Sequence, residues 1–131
     1  MNYRFTEEIP DNDALFVLYD TVDWNDFLGL SKEQITQATA QSWYALHVYD
    51  GEQLIGTGRV ISDGVINGCL CGVAVHPNYQ KQGIGSELIR RLVDQCRKHH
   101  LHIQLFCTEQ NAAYYRKLGF EVFAVGMKQH A

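Results

Sequence analysis

The chain runs to 131 residues, 46% hydrophobic and 20% charged, with a formal net charge of −4. That size and balance suit one globular domain, 1–131, with a core of its own, while the acidic balance and the want of a basic aromatic stripe argue against nucleic acid as a partner. No apolar run approaches the roughly 20 residues of a membrane span, and residues 1–13 lack the charged and then apolar regions of a secretion signal, so the expectation is a cytoplasmic protein with no membrane partner.

Residues 3–6 read as a short first strand. Residues 11–19 read as a helix, with Asp11 or Asp13 as its cap and Leu15, Phe16, Leu18 and Tyr19 as its apolar face. The stretch DTVDWNDFLG, 20–29, reads as a loop that displays Trp24 and Phe27. Ser31 opens a second helix through an S-x-x-Q capping box with Gln34. From Trp43 the period shifts to two. Residues 43–49, the turn Asp50-Gly51 and residues 53–61 read as a hairpin, Ser62-Asp63-Gly64 as a second turn, and 69–75 as a third strand. Residues 86–98 form an amphipathic helix with Leu88, Leu92 and Cys96 on one stripe. A strand at 103–107, a short helix at 111–118 stopped by Gly119, and a last strand at 121–127 complete the chain.

Strands joined by tight turns are antiparallel neighbours, and a strand–helix–strand unit pairs in parallel through a right-handed crossover. The fold class is therefore α/β (α+β): a mixed, mostly antiparallel central sheet flanked by helices. Cys69, Cys71, Cys96 and Cys107 make no C-x-x-C pair and read as reduced, buried thiols. His99, His100 and His102 have no acidic or thiol partner at ligand spacing, so they read as a solvated helix end and no metal is expected. Charge is uneven along the chain: eleven acids and three bases up to Gly68, four acids and eight bases from Cys69 onward. The second half thus favours an anion and the first half a cation, unless folding intermixes them.

The segment VAVHPNYQKQGIGSELIRRLV, 73–93, carries the chemistry. Gly83 and Gly85 admit positive φ and close approach to the backbone, and successive N–H groups there, with the start of a helix, suit a phosphate. Two phosphate motifs fail. A dinucleotide fingerprint requires a third glycine where Leu88 stands and a much shorter approach from the strand. A Walker A loop requires a Gly-Lys pair, which the chain lacks.

The wider pattern resembles the acyl-CoA motif of the GCN5-related N-acetyltransferases, V-x-P-x-x-[QR]-x-x-G-x-[GA], through Val75, Pro77, Gln80, Gly83 and Gly85. Farther on, NAAYYRKLGF resembles that family's second signature through Asn111, Tyr115, Leu118, Gly119 and Phe120, with Tyr114 in place of Phe. The resemblance implies a GNAT-like sheet in which two parallel strands splay apart, and transfer of an acetyl group from acetyl-CoA to a primary amine directly within a ternary complex. It implies that backbone groups of Val73 and Val75 hold the pantetheine arm and that the N–H groups of Gln80, Lys81, Gln82, Gly83, Ile84, Gly85 and Ser86 hold the pyrophosphate, with Lys81 adding charge. Tyr115 matches the family's general acid, which protonates the leaving thiolate; its bland alternative is a packed tyrosine. Asn111 bonds the cofactor arm, caps the helix, or does both. Tyr114 reads as core.

The residues do not name a general base: Asp63, Glu52 and His76 are candidates beside a water chain. An acyl-enzyme on Cys71 or Cys107 is discounted, since neither has an evident His partner. The acceptor, a small molecule or a peptide amine, is expected against the 20–29 loop, the second helix and the turn 59–64, with Trp24, Phe27 and Asp63 as contacts. A packing role for Trp24 and Phe27 competes with that. A homodimer is a family-level expectation. The rival reading is a non-catalytic acyl-CoA-binding or regulatory module on the same fold.

Overall fold

The computed structural model describes residues 3–130. Local signals decide where its helices start. Asp11 caps α1 (Asn12–Thr21) by accepting from the Ala14 N–H, and Ser31 caps α2 (Lys32–Ala40) in a full capping box with Gln34. The strands are β1 (Arg4–Thr6), β2 (Tyr44–Asp50), β3 (Gln53–Ser62), β4 (Asn67–Val75) and β5 (His102–Leu105). A single 3-10 turn, Pro77–Tyr79, leads from β4 toward α3 (Ile84–Lys98), and α4 (Glu109–Lys117) follows β5. The strands lie in the order β1-β2-β3-β4-β5, antiparallel except for the parallel pair β4–β5.

One sheet face packs on α3, through Leu46, Val48, Val60 and Leu70 against Leu88, Ile89, Leu92 and Cys96. Glycines let the helix come close. A Cβ on Gly56 would lie 3.3 Å from Leu88 Cδ1, one on Gly58 3.0 Å from Leu92 Cδ1, and one on Gly68 3.0 Å from Cys96 Sγ. Those three partners sit four residues apart, one stripe of the helix. The opposite face packs on α1 and α2, through Leu15, Leu18, Tyr19, Ile35 and Ala74.

Three expectations need correction. Residues 121–127 form no strand: they are exposed and in no ladder. The segment runs beside β5, with the Phe123 and His102 rings 5.4 Å apart. Strand propensity measures fit to a pleated, half-buried surface, and a four-residue edge offers too little of one. Of the cysteines only Cys96 is buried; Cys69 and Cys71 are half-buried and Cys107 is exposed. Trp24 is not displayed by its loop but stacks on Tyr19, ring centroids 4.3 Å apart.

Candidate active site

The parallel ladder runs only from Asn67↔His102 to Leu70↔Leu105. Beyond Leu70, β4 continues with β3 alone, because β5 ends at Leu105, and that side of Cys71–Val75 has no strand partner. Inside that stretch β4 bulges: Thr57 pairs with Ala74 and Arg59 with Cys71, so Gly58 faces both Gly72 and Val73. Gly72 adopts φ +64, and an added Cβ would lie 2.8 Å from the Tyr19 hydroxyl. Tyr19 donates that hydroxyl to the Gly72 carbonyl at 2.6 Å. The His76 N–H bonds back to Ile55 on β3, so strand alternation turns the peptide groups of Val75 and Val73 the other way, to the side of β4 that β5 does not reach. The Val75 carbonyl there accepts from the Gln80 side chain at 3.0 Å, which ties the loop to the strand.

That loop ends in an uncapped helix. Lys81 and Gly83 have φ +64 and +86, and Gly83 is the N-cap of α3 with no side-chain cap bond. The first bond of the helix runs from the Glu87 N–H to the Gly83 carbonyl at 3.0 Å. The N–H groups of Ile84, Gly85 and Ser86 therefore have no helical partner and face outward as anion donors. This donor set fits a pyrophosphate.

The two tyrosines of α4 diverge, as neighbours on a helix must. Tyr114, read from the sequence as core, is 41% exposed and shares a 3.0 Å hydrogen bond with Ser86 Oγ, so its hydroxyl stands at the first turn of α3. The sequence pattern hid this because Tyr stands where the family signature has Phe. Tyr115 is half-buried, its ring edge-on to Phe120 at 5.9 Å. It lines a groove of about 740 Å³ between β5, α4 and residues 120–126, beside Leu105 and Cys107. Burial, with lesser contributions from Tyr114 and Cys107, pushes its phenol above the ordinary tyrosine range. Asn111 is exposed in the first turn of α4; Thr108, not Asn111, is the N-cap.

The remaining candidates scatter. Asp63 is exposed and engages its own turn, Oδ1 accepting from the Ile66 and Val65 N–H groups at 2.8 Å, which lowers its pKa. Glu52 is exposed in the β2–β3 turn, and His76 Nδ1 accepts from the Asn78 N–H. Phe27 is 83% exposed, with the Lys128 ammonium 5.1 Å from its ring centre.

Sequence reasoning missed a polar constellation on the α1 side of the sheet. His47 is wholly buried on β2; its Nδ1 lies 2.8 Å from Thr57 Oγ1 and its Nε2 has no partner. Burial lowers its pKa to about 4, so it is neutral near pH 7. Burial also raises the Tyr19 phenol to about 12, against the opposing pull of the Arg59 guanidinium. A histidine inside the apolar run ALHVY was the available signal.

A profile of the acetyltransferase (GNAT) family matches residues 9–120. The chain belongs to that family. This GNAT chain is 32% identical over 123 residues to a histone acetyltransferase of Glycine max, covering 87% of itself and 53% of that relative. It spans between 32% and 53% of the length of the first three plant relatives it matches. Its fold is similar to a probable acetyltransferase of methicillin-resistant Staphylococcus aureus, with TM-score 0.83 at 23% identity and 99% and 100% of the two chains covered. It is also similar to an N-acetyltransferase of Thermoplasma acidophilum in complex with coenzyme A, with TM-score 0.77 at 19% identity, covering 96% and 94%. Among the described residues no helix is long and apolar enough to cross a membrane.

Proposed function

We propose that this GNAT chain transfers an acetyl group from acetyl-CoA to a primary amine, directly and within a ternary complex. The observation that carries the reading is the row of free N–H groups at the start of α3, which follows the stretch of β4 that β5 leaves unpaired. Acetyl-CoA supplies a thioester whose carbonyl carbon is open to attack by an amine. The N–H groups from Lys81 to Ser86 hold the pyrophosphate, the Gln80 N–H being turned to the Pro77 carbonyl, and Lys81 adds a positive charge. The peptide groups of Val73 and Val75 pair with the pantetheine arm, and one of their N–H groups steadies the charge that grows on the thioester oxygen. The amine nitrogen bonds to the carbonyl carbon, the carbon–sulfur bond breaks, and Tyr115 gives the departing thiolate its proton. The amine's own proton leaves through water. Asn111 lies on the same helix as Tyr115 and holds the cofactor arm. Phe27 is the exposed acceptor contact, while Trp24 packs on Tyr19 and Asp63 holds its own turn, so these two act by shaping the acceptor side. A homodimer and a cytoplasmic location belong to the proposal too, testable by light scattering and by fractionation.

Saturating acetyl-CoA is expected to raise the melting temperature, because it binds the folded state alone. No shift in a folded sample overturns the reading. A shift without release of coenzyme A from any amine favours a non-catalytic acyl-CoA-binding module instead. Tyr115→Phe is expected to lower kcat by about 100-fold, whereas Tyr114→Phe raises KM for acetyl-CoA. Equal kcat for Tyr115→Phe and wild type across pH removes the acid role.

A further inference from the structure

The positive charge that matters on the α1 side of the sheet belongs to Arg59. It stands on β3, half-buried, in register with Cys71 and one step from the Gly72–Val73 bulge. Its guanidinium lies over the bulge: Nε is 3.3 Å from where a Cβ on Gly72 would sit. Its guanidinium donates a hydrogen bond to Ser42 Oγ, neutral and long at 3.3 Å. A guanidinium carries five N–H donors in a planar fork matched to a carboxylate. Three other cations of the chain, Lys32, Arg90 and Arg91, have acidic partners although they lie on the surface. Among the described residues no carboxylate reaches ion-pair distance of Arg59, including the exposed Asp20, Asp23 and Asp26 of the loop after α1. A half-buried charge without a counter-charge is costly, and here it borders the backbone that Proposed function assigns to the thioester. The eleven acids of the first half suggested a cationic acceptor; at this position the folded chain presents the opposite charge.

We propose that Arg59 anchors a carboxylate of the acceptor, so that the acceptor is a small amino carboxylate whose anion lies within a few bonds of its amine. The spacing is right for that class. Gly72 and Val73 are consecutive residues, about 3.8 Å between Cα atoms, so a carboxylate held in the fork beside Gly72 leaves an α-amine next to Val73, where the thioester carbon belongs. Half-buried Cys69 and Cys71 and the Tyr19 hydroxyl surround the guanidinium and offer it no competing anion near pH 7, since burial raises all three pKa values. The inference deepens the acetyltransferase reading and rests on it.

Release of coenzyme A from acetyl-CoA is measured with the twenty L-amino acids, with their carboxamides, and with a lysine peptide blocked at both ends. The wild type is expected to favour its best acid over the matching carboxamide by about 100-fold in kcat/KM, as sites built around a buried charge do. Arg59→Gln brings that ratio close to one while the acetyl-CoA thermal shift stays, and Arg59→Lys restores part of it; Arg59→Lys also serves if the glutamine variant does not fold. The inference is overturned if the ratio survives in Arg59→Gln, if carboxamides or the blocked peptide react as well as the acids, or if no acid reacts while acetyl-CoA still binds. Absence of acetyl-CoA binding to wild type overturns the underlying reading as well, which separates the two failures.

Discussion

The two faces of this sheet are built on opposite principles. The α3 face is dry: glycines of β3 and β4 lie under Leu88, Leu92 and Cys96, and the packing is a matter of shape. The α1 face packs Leu15, Leu18, Ile35 and Ala74 but also carries Tyr19, His47, Thr57 and Arg59, whose polar partners add direction to its packing. The donor loop emerges where the dry face ends, and the bulge at Gly72 is held from the polar face. One face thus carries rigidity and the other carries the geometry of the bulge.

The difference shows most strongly when the dry face is broken. Leu92 is fully buried against Gly58, and Leu92→Ala is expected to cost about 2–5 kcal/mol, transfer and cavity terms together. Chemical denaturation measures it. If the protein retains its acetyl-CoA affinity at a temperature where it is folded, the two faces are separable; a loss of affinity in proportion to stability joins them.

Acid should break the polar face. The folded pKa of His47 is about 4, below the ordinary value of 6.5. As pH falls through 6.5 the unfolded chain takes up a proton that the folded chain refuses. The stability is therefore fully present above pH 6.5 and is lost progressively as pH falls toward 4, by up to about 3 kcal/mol. Urea titrations of wild type and His47→Gln between pH 7 and 4 test this. Parallel pH dependences in the two proteins would show that other groups carry the acid sensitivity.

The same contrast explains what the sequence revealed. The Ser31–Gln34 capping box, the Asp50-Gly51 hairpin and the glycine loop before α3 are local signals, written in neighbouring residues and met by local bonds. The proposed donor side was legible because it is built of backbone, and backbone geometry has a motif. The polar cluster of Tyr19, His47, Thr57 and Arg59 draws on α1, β2 and β3, which only the packing and register of the sheet bring together. No short pattern announces Tyr19 beside Gly72, 53 residues away. Residues 121–127 fail the other way: their composition suits a strand, yet a strand needs a neighbour to bond, and β5 is short.

The smallest perturbation is the sharpest. Tyr19→Phe keeps the ring that stacks on Trp24 and removes only the hydroxyl that holds the Gly72 carbonyl. Loss of one such bond is expected to cost about 1 kcal/mol of stability. If the bond merely adds stability, kcat at a temperature well below unfolding stays as it was. If it holds the bulge, the Val73 N–H drifts from the position where charge develops, and kcat falls by about tenfold with acetyl-CoA affinity little changed, since the free N–H groups of α3 are untouched. Measuring kcat, KM for acetyl-CoA and melting temperature on one preparation separates the two, and an unchanged kcat would mean that the dry face alone suffices to shape the bulge.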